Sequence, residues 1–392
     1  MAPLPLDPQQ HVIGLLAGAG EYPRLMIEGA KRAGMRVVVA GFRGAVGKEI
    51  PALCDAFAKF RVGSVEGPRA FFAKHGVTHV LMAGQIKPAC IYTMWPDATA
   101  RRLLARLDRR NAHTIFGAVC DYVAAHGMQM LPSTAYMDDV LPGAVHLAGP
   151  ALAPEQLDAA RRGMQLAREI ARLDIGQSLI LNGNQVTCVE GFKGTNECIK
   201  NGGGTATEPV MLCKVTKPGH DMRFDVPCIG LRTIQHCIRH HVRHIVFEAG
   251  RTILFQKQNV IKLCNQHGIT LHGMEMPTGG IEVEALEHAA NDAAHASALA
   301  AALEQLGIGH SAVVCDGVVI AVEDTQGPTK CIARAAAYMK RLRFARLANW
   351  LCGLFLGRKG CPPSPMVMRY TPAFEMTPLV LQLARKSGIQ LM

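Results

Sequence analysis

The chain lacks the features that most readily place a sequence. None of its thirteen cysteines forms a Cys-x-x-Cys pair, and their odd, unpatterned count speaks against disulfides and the usual zinc sites. Reduced thiols buried as small hydrophobes are expected instead. Nowhere do about eighteen apolar residues follow one another, the length a membrane-spanning helix needs. The opening Met1-Ala-Pro-Leu-Pro-Leu-Asp-Pro8 has neither the basic segment nor the apolar core of an export signal, so a cytoplasmic location is expected. The glycine turn Gly18-Ala-Gly20 lacks the third glycine of the dinucleotide fingerprint. The second strand-like run ends in Ala40-Gly41-Phe42, with no acidic residue to hold a ribose, which argues against an NAD dehydrogenase. No basic-aromatic module supports nucleic-acid binding.

What is present is a folded chain with an excess of positive charge. Hydrophobic residues make up 49% and charged residues 19%, and 392 residues suffice for two or three domains. A formal net charge of +11 suits an acidic ligand, an anionic membrane surface or nucleic acid without choosing among them.

The first third alternates strand and helix signals. His11–Ala17, Met35–Ala40 and His79–Ala83 read as strands, each followed by a glycine turn. Strand, turn and helix in series predict a Rossmann-like parallel sheet over residues 11–135. Ligands of such sheets sit at the carboxyl ends of the strands, where Gly18-Ala-Gly20 and Gly84-Gln-Ile-Lys87 lie. Prolines gather in a linker over 136–157, and a second α/β domain is expected over 158–277. It opens with a helix from Asp158 to Arg172 and a hairpin of Gln177–Asn182 and Gln185–Glu190 around Gly183.

Residues 278–392 read as a worn, degenerate repeat of that second domain. Arg172-Leu-Asp-Ile-Gly-Gln-Ser178 returns as Gln305-Leu-Gly-Ile-Gly-His-Ser311, and Val189-Glu190, Gly194 and Cys198-Ile199 return as Val322-Glu323, Gly327 and Cys331-Ile332. Further on, Lys217-Pro-Gly-His-Asp-Met222 aligns with Thr371-Pro-Ala-Phe-Glu-Met376. The copy lacks counterparts of Lys214, Lys217, Arg223 and Asp225, so it is expected to be non-catalytic. It also carries an insertion, 338–359, with Leu347, Trp350, Leu351, Leu354 and Phe355 on one helical face among arginines. Such a helix suits a membrane interface, or packing on its own protein.

The chemistry concentrates between Lys214 and Asp225. Lys214, Lys217, Arg223, Asp221 and Asp225 surround a Pro-Gly turn just after an apolar run. Cations there can meet phosphate oxygens, and carboxylates a divalent metal, the pairing that metal-assisted cleavage of a phosphate anhydride needs. Glu248-Ala-Gly-Arg251 follows the next strand, and Glu190, Lys193, Gly194, Thr195 and Asn196 form a third polar turn. His236, His240 and His244 repeat at helical spacing, but with no further zinc ligand they read as a solvated helix face without a role.

Together these residues resemble a known family, the UDP-2,3-diacylglucosamine diphosphatases of lipid A synthesis of the LpxI type. The likeness is carried by Ile13–Pro23, Met82–Pro88, Asp139–Pro142, Asp174–Gln177, Glu190 with Gly194–Asn196, Lys217–Pro227 and Glu248–Arg251, and spans about residues 11–276. It implies Mg²⁺-dependent (or Mn²⁺-dependent) cleavage of the substrate's pyrophosphate to UMP and lipid X, at the inner face of the cytoplasmic membrane. It further implies a first domain that takes the uridine half and a second that holds the acylated sugar. Asp225 matches the family's essential aspartate, with Asp221 its nearest competitor as metal ligand or water-positioning group. Lys217 and Arg223 complete the expected catalytic set. Gly18, Gly20, Gly84, Lys87, Glu190, Thr195, Asn196, Lys214 and Arg251 are expected to bind substrate. The chain departs from the family at Asn196, usually Asp, at His220, usually Gln, and at Asn111-Ala-His113, usually an acidic pair. A homodimer is compatible with the sequence. The rival reading is a non-catalytic nucleotide-sugar or lipid binder, which tight UDP-sugar binding without UMP release would select.

Overall fold

The structure, a computed structural model, describes residues 6–86, 96–107, 112–191, 193–219, 221–224, 226–279, 291–315, 318–337, 366–370 and 389–391. Lys87, Asn111, His220, Asp225 and the 338–359 insertion fall outside the described residues, and the side chain of His113 is likewise not described. The chain separates into two units: one runs to Leu141 and includes His220–Val226, and the other holds Pro142–Gly219 and the rest from Pro227.

In the first unit, five strands form an all-parallel sheet: β1 (Val12–Ala17), β2 (Arg36–Phe42), β3 (Ala56–Phe60), β4 (His79–Ala83) and β5 (Gln129–Met130). Their order is β3-β2-β1-β4-β5, so chain direction across the sheet switches between β1 and β4, the place where open parallel sheets bind ligands. Helices α1 (Tyr22–Arg32), α2 (Glu66–Lys74), α3 (Ala98–Ala105) and α4 (Ala112–Ala125) connect the strands. Gly14 lies within β1, and a Cβ there would stand 2.8 Å from Val77 and 3.2 Å from the Phe72 ring, so glycine lets these side chains pack on the strand.

The second unit is built on a six-stranded mixed sheet, β6-β13-β11-β9-β7-β8, from β6 (His146–Ala148), β7 (Ser178–Asn182), β8 (Gln185–Val189), β9 (Val210–Lys214), β11 (Val242–Glu248) and β13 (Thr270–Met274). The central β9, β11 and β13 are parallel, whereas β7 and β8 form the expected hairpin with Gly183 at φ +56°. Helix α5 (Pro154–Arg172) begins four residues before the sequence suggests. Pro154 is tolerated in a first turn, and the Gln156 side chain accepts the Ala153 backbone N–H at 2.9 Å. Helix α6 (Thr195–Gly202) precedes β9, and α7 (Leu231–Arg239) precedes β11. A short parallel pair, β10 (Cys228–Ile229) with β12 (Ile253–Leu254), flanks α7, and α8 (Lys257–Gln266) leads into β13.

One expectation is corrected. His236, His240 and His244 do not share a helix: α7 ends at Arg239, His240 follows as its cap, and His244 lies in β11. The helical spacing is broken by His241 at φ +55°, a left-handed turn that starts the strand.

The C-terminal copy contributes α9 (Asp292–Gln305), β14 (Ser311–Cys315), β15 (Val318–Val322), a helix over 327–337, β16 (Met366–Tyr370) and β17 (Ile389–Leu391). Its hairpin repeats the first at a constant offset of 133: Leu179 pairs with Val189 as Ala312 does with Val322, and Ile180 with Cys188 as Val313 with Ala321. Both ladders then slip at the same step, after Ile180 and after Val313. Gly194 and Gly327 have φ of +80° and +79°, and Asp174 and Gly307 of +60° and +66°. Ser178 faces Lys214 across the sheet, and Ser311 faces Tyr370. That pairing shifts the alignment read from sequence by two residues, since setting Lys217 against Thr371 would match Lys214 with Met368. Both copies share one core, in which Met164, Ala167 and Ile170 of α5 cluster with Leu299 and Leu303 of α9.

Candidate functional site

In the second unit the polar turns expected from sequence gather around the carboxyl ends of β9 and β11. Lys214 closes β9 and is only 5% exposed. Its ammonium donates to Thr195 Oγ1 at 2.8 Å and to Ser178 Oγ at 3.2 Å, so among the described residues its partners are hydroxyls. The Thr195 hydroxyl, at the start of α6, in turn donates a hydrogen bond to Glu190 Oε2 at 3.1 Å. Lys214, Thr195 and Glu190 thus form a hydrogen-bonded relay drawn from a strand, a helix terminus and the hairpin's end.

Beside the relay, Glu248 at the end of β11 is 7% exposed and accepts the Thr216 backbone N–H at 2.6 Å. Arg251 Nε stands 3.5 Å from Glu248 Oε1, an ion pair that falls short of a hydrogen bond. Four buried side-chain atoms here make no hydrogen bond among the described residues: Asn196 Oδ1, Thr216 Oγ1, Arg251 Nε and Thr252 Oγ1. Buried polar atoms are normally satisfied, so these four beside a buried ammonium offer hydrogen-bonding positions to a polar ligand. Lys217 is already engaged, 2.8 Å from Asp174 Oδ1.

Asp221 and Arg223 belong to the first unit. The Arg223 guanidinium grips both oxygens of Asp221, Nε to Oδ1 at 2.8 Å and Nη2 to Oδ2 at 2.6 Å, and lies 3.2 Å from Asp121. The Asp221 hydrogen bond pushes its proton affinity above the ordinary arginine value, against the cost of burial. Ser133 anchors the segment: its backbone N–H donates to the Met222 carbonyl and its hydroxyl lies 2.6 Å from the Arg223 carbonyl. Phe224 packs on Phe116.

The glycines of the first unit have a packing role. Gly18 N donates to Ala83 O, while Ala19 and Gln85 exchange both backbone bonds. A Cβ on Gly18 would stand 2.7 Å from Gln85 O, and one on Gly84 2.7 Å from Ala19 O. These glycines bring the loops after β1 and β4 into contact, and the amides of Gly18, Ala19 and Gln85 serve that contact rather than facing a ligand. Gly20, at φ +96°, has open space around it. Next to these strand ends lies a cavity of about 90 Å³, lined among others by Leu16, Phe42, Met82, Ile86, Phe116 and Val119. Its walls give uracil or ribose little to hydrogen-bond with, and they match an alkyl chain.

The described residues do not supply a metal site. Among them no three His, Cys, Asp or Glu side chains stand together as a donor set, and both Asp221 oxygens are held by Arg223. Ser178, Thr216, Thr252, Asp121 and Ser133 are site or anchoring residues that sequence reasoning did not single out. Ser178 carried a usable signal, since Gly176-Gln-Ser178 returns as Gly309-His-Ser311. The others are polar residues in turns whose meaning depends on burial.

Comparison with known proteins follows these boundaries. The LpxI N-terminal domain matches residues 12–140, and the LpxI C-terminal domain matches two stretches, 144–272 and 279–349. UDP-2,3-diacylglucosamine pyrophosphatase LpxI of Caulobacter vibrioides is 27% identical over 276 residues, 67% of this chain and 97% of the relative. Two solved structures resemble parts of the chain only faintly. The biotin carboxylase domain of the Hydrogenobacter thermophilus 2-oxoglutarate carboxylase has a TM-score of 0.21 at 13% identity, over 45% of this chain and 36% of its own. N5-carboxyaminoimidazole ribonucleotide synthetase has a TM-score of 0.19 at 15% identity, over 50% and 41%. Scores this low carry no argument about fold or function. With both domains matched in order, the second of them twice, the chain belongs to the LpxI family.

Proposed function

We propose that this protein hydrolyses the pyrophosphate bond of UDP-2,3-diacylglucosamine, releasing UMP and 2,3-diacylglucosamine 1-phosphate in lipid A biosynthesis. The observation that carries this reading is the buried Lys214, an ammonium whose partners among the described residues are hydroxyls, beside four polar atoms without a hydrogen bond among those residues. A buried cation without a countercharge is costly, and a phosphate oxygen would supply that countercharge. The relative's name identifies a phosphate anhydride of fitting chemistry.

In this reading Lys214 and Arg251 neutralise phosphate oxygens as negative charge builds in the transition state. The Thr195–Glu190 relay holds the Lys214 ammonium in place, Asn196 Oδ1 accepts from a ligand hydroxyl or N–H, and the Thr216 hydroxyl donates to a ligand oxygen. Lys217, fixed by Asp174, and Arg223, fixed by Asp221, contribute positive charge. Asp225, which the resemblance matches to the family's essential aspartate, would hold the metal or position the attacking water. Asp221, with both oxygens on Arg223, acts by orienting that guanidinium. A dependence on Mg²⁺ or Mn²⁺ is part of the proposal as a requirement to be measured, and no step above is routed through the metal. The apolar cavity of the first unit suits an acyl tail, and the protein works as a peripheral protein on the cytoplasmic membrane. Among the described residues no helix is long and apolar enough to cross a membrane.

The test is UMP release from UDP-2,3-diacylglucosamine, with Mg²⁺ and with EDTA, for the wild type and Asp225→Ala. Metal-dependent release that disappears in the variant is the expected result. Bound substrate without release under any condition would make the protein a nucleotide-sugar binder instead.

A further inference from the structure

The C-terminal copy touches the first copy in a particular way. Gln326 Nε2 donates to the Asn201 carbonyl at 2.5 Å, and Thr325 Oγ1 to the Thr187 carbonyl at 3.5 Å. Under the offset of 133, Gln326 corresponds to Lys193 and Asn201 to Arg334. The mirror of the first contact is therefore Lys193 with Arg334, and these two line one small cavity between the copies. Arg334 Nη1 also lies 3.8 Å from Cys188 Sγ, whose mirror, Asn201 with Ala321, lines the same cavity. Position i meets j on the other copy, and the mirrored positions j and i face one shared cavity. That reciprocity defines an isologous two-fold interface, the form taken by symmetric dimers. It runs from these loops into the shared core of α5, β7 and β8 with α9, β14 and β15.

We infer that the C-terminal copy is a built-in second subunit, seated on the α5–β7–β8 face as the other half of a two-fold dimer would be. The chain is then a self-paired monomer, with this face unavailable to another molecule. The copy also backs the site. Val322, Ala321 and Arg334 line the cavity beside Glu197, Cys198 and Asn201 of α6, the helix whose first residue is Thr195. Arg334 is itself fixed by Asp324 at 2.6 Å and by the Val322 carbonyl at 2.8 Å. Replacing a separate subunit by a tethered one makes pairing independent of protein concentration. It also frees the second half from keeping a working site, which fits the loss of the lysine at Tyr370.

The test uses the full chain with a specific protease site placed within 280–290. Uncut, sedimentation should give the 42.2 kDa monomer at every concentration. After cutting, the two pieces should remain a one-to-one complex of the same total mass. A stable particle of twice the monomer mass before cutting would overturn the inference. So would separation of the pieces, or departure of the amino-terminal piece as its own dimer. Gln326→Ala, at the rim rather than in the core, should raise the dissociation constant of the cut pieces about tenfold while the uncut protein stays folded. An unchanged constant for Gln326→Ala would remove the reciprocal contact from the interface.

Discussion

The two copies of the second domain share a scaffold and differ in what they put on it. In the first, Ser178, Thr195, Lys214 and Glu190 form a relay in which hydroxyls separate the ammonium from the carboxylate. In the second, Pro328 stands at the Thr195 position and Tyr370 opposite Ser311, so neither the intervening hydroxyl nor the lysine remains. Glu323 then closes directly onto Ser311, whose hydroxyl donates to it at 2.6 Å, with the His310 backbone N–H at 3.2 Å. The carboxylate that orients a relay in one copy caps a loop in the other. Backbone geometry was retained where it sets strand register and turn handedness, and side-chain chemistry was lost where only a ligand would need it.

The largest effect should come from breaking the first copy at its cation. Lys214→Met should lower kcat/KM for UMP release by roughly 100-fold or more, as removal of a preorganised charge-stabilising donor does. Tyr370→Lys should leave the rate unchanged, since its copy has no Thr195 counterpart. A rate loss in Tyr370→Lys comparable to that of Lys214→Met would show that both copies take part. Thr195→Val sharpens the point within the first copy: with the relay cut, a loss of about tenfold is expected, and Thr195→Ser should recover most of it.

Scaffold residues should behave alike in both copies. A Cβ on Gly176 would stand 2.2 Å from the Glu190 carbonyl oxygen, and one on Gly309 2.7 Å from that of Glu323. Both contacts are with backbone, which cannot swing aside. Gly176→Ala and Gly309→Ala should each cost about 1–3 kcal/mol in urea unfolding, the former more. A neutral Gly309→Ala would mean that the second hairpin does not need the register it shares with the first.

How much of this was legible depends on what each residue's role requires. The strands β9 and β11 carry continuous apolar runs, Val210–Cys213 and Ile245–Phe247, because buried parallel strands must be apolar on both faces. The repeat was visible because Gly307, Gly309 and Gly327 serve backbone needs that few other residues meet. The relay was only half visible. Lys214 and Thr195 stand nineteen positions apart, and nothing in their spacing says that a hydroxyl stands between lysine and glutamate. Gly18 and Gly84 show another limit: glycine beside a strand end suggested substrate binding, and periodicity gave no sign that these two also let two loops touch. His236, His240 and His244 kept helical spacing across a helix end that periodicity alone could not detect.

The smallest expected effect is a pH dependence that sets the first copy apart from the second. Burial pushes the proton affinity of His244 below the ordinary histidine value, and His272 shifts the same way, chiefly through burial and then through the neighbouring His146. The unfolded chain protonates these rings near its reference pKa of about 6.5, while the folded chain resists. As pH falls below that value the unfolded state binds more protons, so stability declines until the folded pKa values are also passed. His244 sits between Thr270 Oγ1 and the Gln156 side chain, each at 3.2 Å, with no carboxylate partner among the described residues to reward a positive charge. Urea midpoints should therefore drop on going from pH 7.5 to pH 5.5, and His244→Gln should flatten part of that drop. The copy has no histidine in β14 or β15, so its own unfolding, followed through a probe on α9, should show the weaker slope of the two. Equal slopes would mean that the copies unfold as one cooperative unit, which their shared core also permits.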